Sequence, residues 1–105
     1  MLPASNFRRD PAGHLGNQCG HICIGLAAYV LLGVWGGAGA VLIGAAYFVG
    51  WECGVQRLRL FWDSIEDTNY VTVGALFVPS MKMGYGPGMV IVVGLALAFG
   101  AWLRQ

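Results

Sequence analysis

The sequence predicts an all-α membrane protein of four transmembrane helices, a helical hairpin followed by a third and a fourth span, with both termini cytoplasmic. Three observations predict it. Only 10% of the 105 residues are charged and 57% are hydrophobic, where soluble domains carry about 25% charge. Mean hydropathy is +0.65, which implies more apolar surface than so short a chain can bury in water. The apolar residues gather in three zones, 20–50, 65–81 and 87–103, separated by short polar segments.

The whole chain reads as one membrane domain. Residues 1–16 form a polar tail with Pro and Gly and no secretory signal, in which His14 reads as a solvated residue. The first apolar zone is too long for one crossing. Its 31 residues would make a helix of about 46 Å, against a hydrocarbon core of about 30 Å. Its middle, "GVWGGAGA", holds the adjacent pair Gly36–Gly37, a strong turn signal. The zone therefore divides into a first span at about 17–33 and a second at about 38–56. A third span follows at about 64–81, with Pro79 near enough to its end to be tolerated. "KMGYGPG" makes the next turn, and Pro87 suits the first turn of a fourth span at about 87–103.

Positive charge sets the orientation. With four spans, Arg8, Arg9, Arg57, Arg59 and Arg104 share one side and Lys82 lies on the other, as the positive-inside rule expects of cytoplasmic termini. With three spans the split is even and carries no signal. Trp35 and Tyr85 fall in the outer turns, and Trp51, Trp62 and Trp102 near the inner face, as interfacial belts require. Small residues at four-residue spacing, including Gly16/Gly20, Ala40/Gly44 and Gly50/Gly54, together with Gly74, allow helix backbones to approach closely within a chain or between subunits. Cys19, Cys23 and Cys53 have no paired spacing and read as buried free thiols.

Four of the five acids lie in "WECGVQRLRLFWDSIEDTNY". "SIED" fits a capping box, with Ser64 as N-cap, and Asp63 and Glu66 complement the helix dipole. Glu52 is harder to place at a helix end. About 20 residues of span carry the second helix past it to Arg57, so Glu52 lies inside the membrane boundary, where an ionised carboxylate must face protein and find a partner. Gln56 is one turn further along. His21 and Asp67 reach a similar depth from neighbouring helices. The expected inner-leaflet polar cluster is therefore His21, Glu52, Gln56 and Asp67, with Arg57 reaching back from the loop. It reads either as a knot that pins the helices or as a site for a proton, a cation or a lipid headgroup. No HExxH or similar spacing supports a metal, so neither metal nor cofactor is expected. No nucleophile elbow or phosphate loop points to an enzyme.

The order His21, Glu52, Gln56, Arg57, Asp63, Asp67, Gly74 resembles the VanZ-like family of small membrane proteins. In that family a histidine of the first span precedes an E-x-x-Q-like helix end, an arginine and a D-x-x-x-N-x-x-G helix. Asp67 and Gly74 keep the seven-residue spacing. Val71 stands at the asparagine position, and Glu52 and Gln56 are four apart. The stretch is also similar to small phage- or prophage-encoded membrane proteins. These resemblances cover about residues 20–76. They imply an integral protein of a bacterial inner membrane or a virion membrane, with the polar cluster as its shared core.

Three functions follow as expectations. One is a membrane protein that works by helix packing and lateral assembly, in the extreme a holin-like protein that permeabilises the membrane. The second is a structural or accessory subunit of a membrane complex or lipid-containing virion. The third is a VanZ-like protein with an inner-leaflet site for a lipid or amphipathic molecule. The expected partners are the lipid bilayer and either further copies of the chain or another membrane protein. No basic run or aromatic-interleaved patch suggests nucleic acid.

Overall fold

Asp10 opens the first helix. Its carboxylate accepts from the Gly13 N–H at 2.9 Å, and Pro11, which has no N–H to leave unpaired, occupies the first turn. The computed structural model describes residues 9–33, 35–55 and 61–105, and among them the chain is all helical. Helix α1 spans Pro11–Leu32, α2 Gly36–Tyr47, α3 Phe61–Lys82 and α4 Gly86–Leu103; α2 runs on without a break into a π-helical segment, Phe48–Val55. At 22 and 18 residues, α1 and α4 are each long and apolar enough to cross a membrane. The segments 56–60 and 1–8, and with them Gln56, Arg57, Arg59 and Arg8, lie outside the described residues.

The turns are where the glycine pattern places them. Gly33 ends α1 in the left-handed region at φ 60°, and its N–H returns to the Tyr29 carbonyl at 3.1 Å. Gly36 has φ 49° and Gly84, between α3 and α4, has φ 84°. Only glycine enters that region freely. Pro79 sits in the last turns of α3 without ending it.

Two boundaries differ from the sequence expectation. Helix α1 starts at Pro11 rather than near residue 17, so the supposed tail supplies its first turns, and His14 is buried. Helix α3 already includes Phe61. Ser64 is therefore inside the helix, not its cap.

Helix α3 packs against α1, α2 and α4, and α1 also meets α4. The α1–α3 crossing is the closest. A Cβ placed on Gly25 would strike the Val71 backbone carbonyl, and one on Gly74 would strike the Ile22 carbonyl. Each helix thus presents a glycine to the other's backbone. On α2, Gly44 makes room for the Thr72 hydroxyl in the same way. Between these contacts lies a small apolar core of Tyr29, Ala40, Ile43, Val71 and Ala75.

The polarity of the molecule is inverted. His14, Gln18, Glu52, Ser64 and Arg104 are buried, while Leu31, Leu32, Trp35, Val41, Leu42, Val90, Ile91, Val92, Leu95 and Phe99 are exposed. Soluble proteins bury the second set and expose the first.

Candidate functional site

The end of the bundle formed by the start of α1, the π segment, the start of α3 and the end of α4 holds two polar clusters. The first joins α1, the π segment and α3. Glu52 is 1% exposed. Its Oε1 accepts from the Tyr47 hydroxyl and its Oε2 from the Ser64 hydroxyl, both at 2.7 Å. The contact with Tyr47 depends on the π segment. Residues five apart on an α-helix lie about 140° apart around the axis, whereas a π-helix bonds i to i+5 and stacks them. The widened turn therefore aims Glu52 at Tyr47, and the Tyr47 ring in turn stands edge-on to His21, with centroids 5.8 Å apart.

Asp67 accepts from the Gln18 side-chain amide at 3.0 Å and from that of Asn17 at 3.5 Å. Its other oxygen faces His21 Nε2 at 3.5 Å. His21 Nδ1 lies 2.7 Å from the Asn17 carbonyl. A carbonyl can only accept, so Nδ1 donates and carries a hydrogen. One ligand-type atom from each of His21, Glu52 and Asp67 lies within 4.8 Å of the other two. The His21 and Asp67 side chains are 12% and 14% exposed, which leaves a way in from the outside.

The second cluster joins α1, α3 and α4. His14 Nε2 stands 3.3 Å from Glu66 Oε1, and Arg104 donates to Glu66 Oε2 at 3.1 Å and to the Gly100 carbonyl at 3.0 Å. Gly100 is required by His14: a Cβ there would lie 2.6 Å from the imidazole Nε2. Beside this cluster a cleft of about 390 Å³ runs along α3 and α4, polar at Glu66, Asn69 and Arg104 and apolar at Val73, Phe99 and Leu103.

The structure brings His21, Glu52 and Asp67 together, while Gln56 and Arg57 lie outside the described residues. Ser64 is not a cap but a hydrogen-bond donor to Glu52. Asp63 is in the first turn of α3, and Glu66 is part of the second cluster. Gly44 and Gly74 stand at close helix contacts. Gly20 and Gly50 face open space within this chain, and Gly54 has its nearest neighbour, Val49, in its own segment. The three cysteines are free thiols, but Cys19 and Cys23 are exposed instead of buried, and Cys53 is half-buried.

The second cluster is absent from the sequence reading. The signal that finds it is the spacing of His14, Gln18 and His21, which puts all three on one helical face. Asp10–Pro11, an N-cap followed by a first-turn proline, extends the helix far enough to use it.

No family model, no curated protein and no solved structure matches this chain.

Proposed function

We propose that this chain is an integral membrane protein whose helices cross the bilayer four times, with both termini on the cytoplasmic side, and that it works as a laterally assembling subunit of a membrane complex. The observation that carries this reading is the inverted polarity. Buried ionisable groups meet partners from other helices, and the exterior is covered by Leu, Ile, Val, Phe and Trp. In a bilayer that exterior is solvated by acyl chains, and the interior pairs avoid the cost of exposing charge to lipid. Trp35 and Tyr85 at one end, with Trp51, Trp62 and Trp102 at the other, fit two headgroup-level belts.

The assembly part rests on how the small residues divide. Gly25, Gly44 and Gly74 are used up inside the fold. Gly16 and Gly20 have nothing within 4 Å of a Cβ position, and with Cys19, Cys23 and Ala27 they line an exposed face of α1. Such a face suits a second helix at short range. Glu52, Glu66 and Asp67 already have partners within the chain, which favours an accessory or structural subunit over a holin-like lesion lined by these groups. A bacterial inner membrane or a virion membrane is the setting proposed for it.

The test uses the native cysteines as reporters. Oxidation of membranes containing the full-length chain is expected to give disulfide-linked dimers through Cys19 or Cys23. Gly20→Ile should abolish them while leaving expression unchanged. Monomers alone, at membrane densities where an unrelated control is also monomeric, refute assembly through this face. Loss of membrane potential on induction would replace the subunit reading with the permeabilising one.

A further inference from the structure

The geometry points to a divalent transition-metal site, of the zinc class, formed by His21 Nε2, one oxygen of Glu52 and one of Asp67. Neither the spacing of these residues nor the assembly reading above requires it, and it stands independently of that reading.

One ring nitrogen of His21 is already committed. Since Nδ1 donates to the Asn17 carbonyl, the second nitrogen is the one free to take a proton or a metal ion. It faces Asp67 Oδ2 at 3.5 Å. A lone pair aimed at a carboxylate is repulsive, so a positive species belongs there. A proton on His21 balances one carboxylate. Glu52 adds a second within 4.8 Å, and a divalent ion balances both, leaving the site neutral in surroundings where net charge is costly.

The distances suit such an ion. Bonds of about 2.1 Å in tetrahedral geometry place ligand atoms about 3.4 Å apart. The His21–Asp67 pair, at 3.5 Å, is already near that separation, and Glu52, within 4.8 Å, needs to approach by at most about 1.4 Å. One nitrogen and two carboxylate oxygens select zinc-like ions over calcium and magnesium, which take oxygen-rich shells.

The surroundings resemble the outer shell of a metal centre. Ligating imidazoles characteristically donate their other N–H to a carbonyl or carboxylate, and ligating carboxylates are themselves hydrogen-bonded. Here the Asn17 carbonyl serves His21, Tyr47 and Ser64 serve Glu52, and Gln18 and Asn17 serve Asp67. A separate observation points to a fourth donor. Gln18 is 3% exposed, and its carbonyl oxygen is buried without a partner among the described residues, on the amide that touches Asp67. With an ion bound, that amide turns end for end, exchanging its bond to Asp67 for a contact between its oxygen and the ion and leaving Asn17 as the donor to the Asp67 carboxylate.

The experiment titrates the full-length protein, purified in detergent and stripped with chelator, with Co²⁺, and then displaces it with Zn²⁺. Visible d–d absorption is expected to saturate at one Co²⁺ per chain, to disappear as Zn²⁺ is added, and to resist excess Mg²⁺. Cys19→Ser/Cys23→Ser/Cys53→Ser must retain it, since thiols also bind these ions. His21→Ala should lose it. Ser64→Ala, which keeps all three ligands, should weaken binding about 10–100-fold. Should His21→Ala fail to fold, the Ser64→Ala shift decides. Absence of saturable absorption in the wild type, its loss on removing the cysteines, or unchanged affinity in Ser64→Ala overturns the assignment.

Discussion

Replacing Glu52 by alanine and, separately, by glutamine isolates the worth of its two hydroxyl partners. Both variants remove the negative charge, so every Coulombic interaction with Asp67 and His21 cancels in the comparison. What differs is acceptance. Tyr47 and Ser64 each donate to Glu52 at 2.7 Å, and Ser64 is 2% exposed, so water cannot readily replace the lost acceptor. A buried hydroxyl without a partner costs about 1–3 kcal/mol; in Glu52→Ala that full cost falls on Ser64, while the half-buried Tyr47 hydroxyl loses less because water reaches it. Glutamine keeps one acceptor oxygen, and its amide can donate to the lone pair of the other hydroxyl. Glu52→Ala is therefore expected to be less stable than Glu52→Gln by about 2 kcal/mol, roughly thirtyfold in the unfolding equilibrium. Reversible unfolding by SDS in mixed micelles, followed by helical circular dichroism in the presence of chelator, measures it. Equal stability within about 0.5 kcal/mol would refute the reasoning, because it would mean that the hydroxyls find other partners at no cost.

The glycines give a sharper contrast. Gly25→Ala and Gly74→Ala each push a methyl into the opposing helix's backbone, which cannot rotate away. Overpacking of about 1–3 kcal/mol should outweigh the helix-propensity gain of about 1 kcal/mol. Gly16→Ala and Gly20→Ala meet nothing within 4 Å and are expected to raise the stability of the isolated chain in the same unfolding assay. In the second cluster, Gly100→Ala sets a Cβ 2.6 Å from the His14 ring and should destabilise by about 1–3 kcal/mol. Adding His14→Ala should recover part of that loss, with a coupling of about 0.5–3 kcal/mol in a double-mutant cycle. Simple additivity would show that the two residues do not touch.

Part of this structure is legible in the chain because its cause is local. Gly33, Gly36 and Gly84 turn the backbone where their neighbours in sequence say they must. The meeting of His21, Glu52 and Asp67 follows from the cost of leaving Glu52 alone in an apolar stretch of helix. What the chain hides depends on partners far away. Whether His14 is solvated or buried turns on α4 bringing Gly100 and Arg104 across α1, which no spacing within α1 declares. Ser64 fits a capping box by its neighbours, yet the helix begins earlier and its hydroxyl goes to Glu52. The open and closed glycines share one spacing and differ only in what faces them. The π segment leaves no mark in hydropathy, since apolar residues on every side conceal the period of the turn.

That segment makes the chain length-sensitive at one place. Phe48–Val55 counts its hydrogen bonds five residues apart, one more than α2 before it. Deleting a single residue there would let the helix heal into an ordinary α form, with better backbone geometry and an intact apolar exterior. It would also swing Glu52 away from Tyr47 and Ser64 and dissolve the first cluster. A deletion elsewhere in a helix disturbs packing and site together. Here the helix itself survives, and a shortened chain would keep its backbone hydrogen bonds while losing the cluster together with the stability that the Tyr47 and Ser64 bonds to Glu52 supply.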